Sequence, residues 1–420
     1  MSPGLTAIEI VAIGEELLSG ATLDTNAARI AKELEKIGIR VVRKTTVGDE
    51  VEAITSAVDA SLRRTGAVIT TGGLGPTRDD TTRVAIARVF GRELQFREDL
   101  WQELERRWAR RGRIPATNRS QAEVPAGATV LPNARGTAAG LALADDRRGL
   151  CIMLPGPPGE VEGMLEGEVI PYLAGHVSPG ARRPFRRLLR TTGIAESAIA
   201  EKVGGLLDDL PLEVAYLPEV DGNDIRLTAW ATAEADAGPV LDEGVKLLRE
   251  ILGTHVYGVG DVDLVEVVSG LLRQRGLRLA VAESCSGGLI AKRLTDWPGA
   301  SDYFWGGLTV YSDSAKVRLL GVSEETLRRH GAVSEATALE MAERVCAVSG
   351  VACSIAVTGI AGPGGGTEEK PVGTVWLAVR VGARAAARRR HYPGPRDAVR
   401  ARAVQGGLDL LRRMILQEPL

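Results

Sequence analysis

The sequence predicts an α/β protein with parallel sheets, arranged as three segments. Apolar strand-like runs alternate with amphipathic helical runs over residues 7–71, which is typical of consecutive β-α-β units. The pattern changes after the Pro/Gly/Arg-rich stretch 174–185 and alternates again from about residue 254. A chain of 420 residues is also longer than one typical domain. We therefore expect two α/β domains separated by a small α+β module.

In the first segment, the mainly apolar run 7–13 predicts a buried strand, and the run 24–38 predicts a capped helix that ends at Gly38. The remaining predicted elements are a strand at 39–47, a helix at 50–64, a strand at 66–71, a helical arm at 101–112, and strands at 139–144 and 149–154.

The middle segment predicts a strand at 186–193, a helix at 195–210, strands at 213–219 and 224–231, and a helix at 237–253. The last segment predicts a helix at 261–275, a strand at 277–282, a helix from Ser284, a strand at 304–312, helices across 313–348, strands at 353–359, 373–379 and 385–392, and a final helix from Pro395.

The composition is that of an ordinary globular protein, with 44% hydrophobic and 25% charged residues. A net charge of −2 gives no overall attraction for nucleic acid or an anionic membrane, so neither is an expected partner. The sequence lacks a basic leader before an apolar run, and no apolar run approaches the roughly 20 residues that span a bilayer. We expect a cytoplasmic protein with reduced cysteines. The histidines are scattered singly, so a zinc site is not expected.

A Gly-rich loop followed by two acidic residues comes directly after the predicted strand at 66–71. The sequence "VITTGGLGPTRDDTT" (68–82) supplies Thr71, Gly72, Gly73 and Gly75, and then Asp79 and Asp80. Glycines let the main chain approach a phosphate, and a helix start offers oriented N–H groups. Carboxylates beside a phosphate make sense chiefly with a divalent cation between them. The alternative is that the two acids cap a helix beginning at Thr81.

Other strand ends of the same predicted sheet also carry polar residues. "DTN" supplies Asp24 and Asn26, and "LPGPPGE" supplies Pro157 and Glu160. In open α/β sheets such loops converge at one crevice, which predicts a shared ligand site. For "LPGPPGE" a rigid turn into a helix capped by Glu160 is an equal alternative.

"AESCSGG" (282–288) places Ser284 between a strand and a helix, where a serine is most often a helix cap. Tyr311 and Lys316 lie five residues apart across a strand-to-helix turn, a spacing that lets both face the same crevice as Ser284. A nucleophilic serine needs a base, and without a suitable histidine the candidates are a desolvated lysine or a tyrosine relay. Taken singly, Tyr311 and Lys316 are more typical of a half-buried strand aromatic and an exposed helix residue.

A third Gly-rich loop, "VTGIAGPGGGTEEKPVGTVW" (357–376), again follows a strand. Its residues Thr358, Gly359 and Gly362 are candidates to wrap a phosphorylated ligand with main-chain N–H groups. The alternative is a mobile surface loop.

Residues 6–170 resemble the molybdopterin-binding fold that molybdenum-cofactor biosynthesis proteins share with the first domain of the CinA (competence/damage-inducible) family. The similar motifs are "TTGGLGPTRDDTT" and "LPGPPGE". The resemblance implies a metal-dependent pyrophosphatase that cleaves ADP-ribose to AMP and ribose 5-phosphate. It also implies a divalent ion (Mg, Mn or Co) held by Asp80 with Asp79. Arg78 stands where the family commonly has His, and pterin binding without hydrolysis is the alternative for this domain.

Residues 255–416 closely resemble the nicotinamide-nucleotide amidase domain of CinA proteins, through "AESCSGG", "GGLTVYSDSAK" and "TGIAGPGGGTEEKPVGTVW". The resemblance implies that Ser284 attacks the carboxamide of nicotinamide mononucleotide while Tyr311 and Lys316 assist proton transfer, without a cofactor. The main-chain N–H groups of Cys285, Ser286, Gly287 and Gly288 are then the natural donors to the oxyanion. Ser286 replaces the commonest Thr, and Asp313 replaces a frequent Asn.

Residues 184–252 resemble the small KH-type module that CinA proteins carry between these domains. They lack a GXXG loop, so a spacer or dimerisation role is expected rather than RNA binding. The predicted domains are 1–172, 183–252 and 255–420. Together they imply a bifunctional hydrolase of pyridine-nucleotide recycling that forms a homodimer. The alternative is an accessory protein of competence or DNA damage that binds recombination factors.

Overall fold

The computed structural model describes residues 4–109, 112–178, 180–220 and 222–420. They form two compact units, one comprising the residues up to Phe185 with Trp230–Asp236, the other comprising Arg186–Ala229 with Ala237–Leu420. The predicted helical arm at 101–112 includes residues 110 and 111, which lie outside the described residues. The helix observed there ends at Trp108.

The strands are β1 (Ala7–Ile13), β2 (Arg40–Val47), β3 (Ala67–Thr71), β4 (Leu94–Phe96), β5 (Glu123–Pro125), β6 (Thr129–Leu131), β7 (Gly140–Asp145), β8 (Gly149–Leu154), β9 (Arg183–Thr191), β10 (Glu213–Pro218), β11 (Asn223–Ala231), β12 (Val256–Val259), β13 (Leu279–Glu283), β14 (Phe304–Thr309), β15 (Cys353–Gly359), β16 (Thr374–Val381) and β17 (Arg384–His391).

The α-helices are α1 (Glu15–Leu18), α2 (Asn26–Lys36), α3 (Val51–Thr65), α4 (Thr82–Phe90), α5 (Glu98–Trp108), α6 (Pro158–Met164), α7 (Ile170–Ala174), α8 (Glu196–Val203), α9 (Glu234–Leu252), α10 (Leu264–Gln274), α11 (Leu289–Thr295), α12 (Asp313–Ala315), α13 (Glu324–His330), α14 (Glu335–Ser349) and α15 (Arg396–Leu416). Short 3₁₀ turns lie at Ala116–Ala122, Gly253–His255 and Ala300–Asp302, and π-helical turns at Leu165–Val169 and Lys316–Leu320.

The six-stranded sheet of the first unit has the order β2-β1-β3-β8-β7-β6. Strands β2, β1, β3 and β8 are parallel, whereas β7, near one edge, pairs antiparallel with both β8 and β6. Only three residues separate β7 from β8, and so short a turn can join only antiparallel strands. The predicted parallel sheet is therefore confirmed for its four neighbouring strands. Their carboxyl ends share the edge where the Gly-rich loop lies.

The middle segment forms a four-stranded sheet with the order β10-β11-β9-β12. Strand β12 was not predicted from the sequence; it is a run of four residues that pairs antiparallel with β9. Helix α8 ends at Val203 rather than at the predicted residue 210. Gly204 follows it with φ 42° and ψ −129°, a conformation that stops the helix.

The remaining sheet has the order β14-β13-β15-β16-β17, in which β14, β13 and β15 are parallel and β16 pairs antiparallel with both β15 and β17. One face packs against α10, α11 and α15, and the other against α14, so that β13 and most of β15 are fully buried. The carboxyl ends of β14, β13 and β15 meet at one edge, where the amidase-like motifs lie. Within the part of the chain that the structure describes, no helix is both long and apolar enough to cross a lipid bilayer.

Candidate active sites

The ends of β13 and β14 bring the side chains of Ser284 and Lys316 together. The Lys316 Nζ lies 3.2 Å from the Ser284 Oγ, and also 3.2 Å from each of the main-chain oxygens of Val310 and Tyr311. Lys316 is 1% exposed and Ser284 is 7% exposed. Lys316 also opens a π-helical turn, a distortion that is frequent at functional sites. The alternative of an exposed helix residue is thus wrong for Lys316.

The surroundings of Lys316 favour its neutral form. Burial lowers the pKa of Lys316, while the Asp313 carboxylate, 3.8 Å away and largely exposed, acts in the opposite direction. A neutral amine has two N–H groups and one lone pair. In the structure the Lys316 Nζ donates to the carbonyls of Val310 and Tyr311 and to the Ser284 Oγ. In the neutral form the two carbonyls would accept its two N–H groups, and its lone pair would face the Ser284 hydroxyl. This arrangement suits a general base acting on a serine nucleophile.

The helix after Ser284 is capped by another residue. Helix α11 begins at Leu289 rather than at Ser284, and the buried carboxylate of Glu283 accepts main-chain N–H groups of Gly288 and Ile290 at 3.0 Å and of Ala291 at 2.8 Å. A carboxylate at this position also interacts favourably with the helix dipole. The capping alternative for Ser284 is therefore wrong, and its hydroxyl is available for chemistry.

Two of the four predicted oxyanion donors are already engaged. The N–H of Gly287 donates to the Ser284 carbonyl at 3.1 Å, and the N–H of Gly288 donates to Glu283. Cys285 and Ser286 are thus the donors to test. Burial raises the pKa of the Cys285 thiol to about 12, so the thiol stays protonated at neutral pH. Ser284, rather than its neighbour, has the environment of a nucleophile.

Tyr311 joins the site through its main chain and points its phenol elsewhere. Its carbonyl accepts from Lys316, but its side chain is 57% exposed and its hydroxyl accepts a hydrogen bond from Arg396 at 2.8 Å. Arg396 also donates to the carbonyl of Gly362 at 2.7 Å. The side chains of Ser284, Tyr311 and Lys316 were expected to meet. Those of Ser284 and Lys316 do so, whereas the Tyr311 phenol contacts Arg396 instead.

Helix α15 places two arginines beside these loops. Arg396 binds Tyr311 and Gly362, and Arg400, one turn later, donates to the Ser286 carbonyl at 3.2 and 2.9 Å. Neither arginine, nor Glu283, was predicted from the sequence as a site residue. The arginine pair at i and i+4 in the first turns of the last helix was the available signal.

The first part of the loop 357–376 is fixed. The Thr358 hydroxyl donates to the Ala332 carbonyl at 2.7 Å, and Thr358 is 1% exposed. Gly359 passes so close to Thr374 that an added Cβ would lie 2.8 Å from the Thr374 oxygen. The mobile-loop alternative therefore does not hold for residues 358–362. Ligand binding by Thr358, Gly359 and Gly362 stays a prediction.

In the first unit, the carboxyl edge of the sheet forms a cleft of about 520 Å³. All ten site residues predicted for this domain line it, namely Asp24, Asn26, Thr71, Gly72, Gly73, Gly75, Asp79, Asp80, Pro157 and Glu160. Gly72 has φ 106°, and an added Cβ there would collide with the Ile13 carbonyl oxygen. The volume lies within the usual range for small-molecule sites.

The Asp80 carboxylate shapes the Gly-rich loop. One oxygen accepts the Gly75 N–H at 2.7 Å, and the other accepts the Thr77 N–H at 2.7 Å and the Thr77 hydroxyl at 2.5 Å. Helix α4 begins at Thr82 and has no side-chain cap. The capping alternative for Asp79 and Asp80 is therefore wrong. Because both Asp80 oxygens accept hydrogen bonds from the loop, they are less available to a metal ion than those of a free carboxylate.

Asn26 presents an unpaired acceptor. Its amide nitrogen donates to the Gly156 carbonyl at 2.7 Å and to the Thr71 hydroxyl at 3.1 Å, but its buried Oδ1 has no partner among the described residues. Asn26 is 8% exposed, and a buried polar atom normally has a hydrogen-bond partner. Since Asn26 lines the cleft, its Oδ1 is suited to accept from a ligand.

The cleft is strongly acidic. Six carboxylates line it, those of Glu16, Asp24, Asp49, Asp79, Asp80 and Glu160. Among the described residues that line the cleft there is no Lys, Arg or His. The Glu160 carboxylate accepts from the Asn133 amide at 2.6 Å. In the described ranges, no group of three or more His, Cys, Asp or Glu side chains forms a ready metal cage. A Mg²⁺ ion commonly uses one or two carboxylates together with waters and substrate phosphates, so the donor set fits such an ion.

A CinA-like protein of Gemmatimonas aurantiaca is 48% identical to this sequence, over 98% of this chain and 97% of that protein. The chain belongs to the CinA family. A putative competence-damage inducible protein of Symbiobacterium thermophilum is 43% identical over 97% of this chain and 98% of its own length. The crystal structure of competence damage-inducible protein A from Klebsiella pneumoniae is 38% identical and covers 36% of this chain and 95% of its own, with a TM-score of 0.36.

Three family descriptions match successive parts of this CinA chain. They are a probable molybdopterin binding domain over residues 9–175, the KH domain of damage-inducible protein CinA over 186–258, and the CinA C-terminal domain over 261–415. The predicted family, its domain order and the mixed α/β fold class are confirmed.

Proposed function

We propose that the second unit hydrolyses the carboxamide of nicotinamide mononucleotide to nicotinate mononucleotide and ammonia. The observation that carries this proposal is the contact between the buried Lys316 amine and the Ser284 hydroxyl. The identity of the substrate is inferred from the family resemblance, and the contact between Lys316 and Ser284 supports acyl transfer from an amide to the serine. The proposal draws no support from the names of the relatives, which mention competence and damage rather than an enzyme activity.

In the first half-reaction, the neutral Lys316 amine accepts the hydroxyl proton as the Ser284 Oγ attacks the carboxamide carbon. The N–H groups of Cys285 and Ser286 are the candidate donors to the oxyanion. The resulting Lys316 ammonium then gives its proton to the amide nitrogen, so that the C–N bond breaks and ammonia leaves. An ester between Ser284 and the nicotinate group remains.

In the second half-reaction, Lys316 takes a proton from water, which attacks the ester carbon. The bond to Ser284 breaks, and the proton returns to the Ser284 oxygen. Nicotinate mononucleotide is released with the enzyme in its starting state. Arg396 and Arg400 border the same loops and carry the positive charge that a substrate phosphate requires.

We further propose that the first unit hydrolyses ADP-ribose to AMP and ribose 5-phosphate in the presence of a divalent ion. Its acidic cleft would repel a diphosphate without an intervening cation. Asp79, whose carboxylate lines the cleft, would hold this ion, whereas both oxygens of Asp80 are engaged by the Gly-rich loop. When bound, the ion supplies charge neutralisation and polarisation of a phosphorus–oxygen bond. The loop glycines and the free Oδ1 of Asn26 would bind and orient the ligand.

Two assays on the purified full chain test these activities. Ammonia release from nicotinamide mononucleotide tests the amidase, and AMP release from ADP-ribose with Mg²⁺, Mn²⁺ or Co²⁺, or with a chelator, tests the pyrophosphatase. Ammonia without AMP would favour a pterin-binding first unit. Absence of both products would favour an accessory protein that acts by binding recombination factors.

Asp313→Asn is expected to move the acidic limb of the amidase pH–rate profile to lower pH. The Asp313 carboxylate raises the pKa of Lys316, so its removal lowers that pKa, and the neutral base persists at more acidic pH. The measurement is kcat/KM for ammonia release against pH. Asp302→Asn, an exposed acid of the same unit, is the control. An unmoved limb would contradict Lys316 as the base.

Tyr311→Phe is expected to raise KM roughly three- to tenfold and to leave kcat nearly unchanged, since it removes one hydrogen bond to Arg396 worth about 0.5–1.5 kcal/mol. Arg396→Gln should raise KM further, because it also removes a charge beside the substrate phosphate and the bond to Gly362, and the double variant should be little worse than Arg396→Gln alone. A proton-relay role would instead lower kcat with an unchanged KM. Initial-rate kinetics on the three variants distinguish these outcomes.

A further inference from the structure

The second unit contains a cavity of about 540 Å³ that neither proposed reaction uses. Its walls come from the start of α8, from β17 and the residues after it, and from the middle of α15. None of the residues assigned above to the amidase site lines it. Its volume is that of a site for a whole small molecule rather than for a single ion.

Positive charge predominates on these walls. Four arginines and two histidines line the cavity together with three carboxylates. One of those carboxylates, Asp409, is already paired with Arg412 and Arg413 at 2.8 Å. Arg413 is itself one of the four arginines, so this pairing leaves Arg388, Arg390 and Arg402 beside two carboxylates, those of Glu196 and Glu219.

Arg388 and Arg390 are the arginines best placed to receive a ligand. They alternate along β17, opposite Leu377 and Val375 of β16, so both side chains project from the sheet face that packs on α15. Neither forms an ion pair with any carboxylate in the described ranges, and the one side-chain bond seen is from Arg388 to the neighbouring Ala387 carbonyl. Their charge is therefore available to an anion.

The cavity also has an apolar floor. Leu377, Leu410 and Leu420 line it together with the Tyr392 ring. Gly406 of α15 lets that ring lie against the helix, because an added Cβ there would collide with the Tyr392 hydroxyl. A floor of this kind suits a flat or apolar group, while the arginines suit a phosphate.

The start of α8 adds donors to the same cavity. Residues 193–196 line it, and the cap residue Ala195 makes no side-chain cap bond to the first N–H groups of this eight-residue helix. Gly193 has φ 70°, and a Cβ added there would lie in contact with the Arg413 guanidinium and the His255 ring. The main chain of Gly193 therefore lies close to both side chains. Uncapped N–H groups at a helix start favour anions.

We propose that this cavity is a binding site for a nucleoside phosphate, with the phosphate on Arg388 and Arg390 and the base over the leucine and tyrosine floor. The site is distinct from the two reaction sites, and the proposal stands whether or not either reaction takes place.

The test is calorimetric titration of the full chain with AMP, and separately with inorganic phosphate. The variants are Arg388→Gln/Arg390→Gln and, as a charge-matched control in the same unit, Arg275→Gln/Arg278→Gln, whose arginines are exposed. We expect one saturable AMP event that the first pair of changes weakens at least tenfold or removes, and that the control retains. AMP bound elsewhere in the chain would persist in both variants and so be told apart.

Hydrogen exchange provides an independent readout, in which AMP should protect residues 193–196 and 402–413 in the wild type and the control but not in the Arg388/Arg390 variant. Thermal unfolding verifies that both variants fold. Equal AMP binding and protection in all three proteins would overturn the site. Binding of inorganic phosphate as tightly as AMP would overturn the nucleoside assignment, because the apolar floor would then contribute nothing.

Discussion

Ser284→Ala is expected to abolish ammonia release from nicotinamide mononucleotide, by a factor of roughly 10³ to 10⁶, and to leave AMP release from ADP-ribose unchanged. Without the hydroxyl no ester can form, whereas the acidic cleft of the first unit shares no residue with this site. Side-by-side assays of the two products on one preparation make the measurement. Equal loss of both activities would contradict independent sites.

Lys316→Met should be nearly as inactive as Ser284→Ala, and the double variant should be no worse than either, because the two residues act as one unit. Lys316→Arg is the informative companion. It keeps a positive charge but cannot act as a base near neutral pH, so it should be as inactive as the methionine variant. Substantial activity in Lys316→Arg would show that charge, rather than proton transfer, is what this position supplies.

Two controls keep a folding defect from imitating loss of the base. Removing Lys316 unpairs the buried carbonyl of Val310, at a cost of about 1–3 kcal/mol, and also unpairs the partly buried carbonyl of Tyr311. Thermal unfolding should therefore show a lower Tm for Lys316→Met but not for Ser284→Ala. Lys292→Met, which alters an exposed lysine paired with Asp296, should keep both activity and Tm.

Continuous apolar strands were the most predictable part of this fold. β1 and β15 span the predicted residues because apolar and small residues dominate both runs. The one charged residue in them, Glu9 of β1, is buried and paired with Arg64. β12 could not be found in the same way, since four residues carry little pattern and its partner β9 lies more than 60 residues earlier. Pairing between distant segments leaves no local mark in a sequence.

The start of α11 shows the same limit at the site itself. The pattern predicted a helix from Ser284, but the side chain of Glu283 reaches past the serine to bind the N–H groups of residues 288, 290 and 291. Cap preferences point to serine at such a junction, and only the three-dimensional path of the chain shows that a buried glutamate serves instead.

Side-chain direction was the least predictable feature. The five-residue spacing from Tyr311 to Lys316 correctly indicated that both lie at the end of β14, because spacing determines the path of the backbone. It does not determine the rotamer, and the phenol pairs with Arg396, 85 residues further along the chain. The Ser284–Lys316 contact was predictable because a buried serine nucleophile needs a base, and few candidates were available.

Asp80→Asn is expected to lower AMP release from ADP-ribose about 100-fold at every concentration of divalent ion. The asparagine could still accept the Gly75 N–H, but its amide nitrogen cannot accept from the N–H and hydroxyl of Thr77. The Gly-rich loop would then lose the geometry that presents its N–H groups, and a displacement of about 1 Å at a reacting site can cost that much in rate.

Asp79→Asn should behave differently, because the Asp79 carboxylate lines the cleft and has no hydrogen bond within the described ranges. Its loss should raise the concentration of Mg²⁺ or Mn²⁺ that gives half-maximal activity while leaving the saturated rate within a few-fold of wild type. Asp146→Asn, an exposed acid of the same unit, controls for a general change of charge.

The two titrations together separate a metal ligand from a residue that builds the loop. If excess metal restored Asp80→Asn to the wild-type rate, Asp80 would be the principal ligand, and its three hydrogen bonds to the loop would be secondary. If neither variant changed the metal dependence, the carboxylates of this loop would not hold the ion, and the other four acids of the cleft would have to neutralise the diphosphate. A lowered rate in Asp80→Asn that metal does not rescue, beside a shifted metal requirement in Asp79→Asn, is the result that the hydrogen bonds of Asp80 predict.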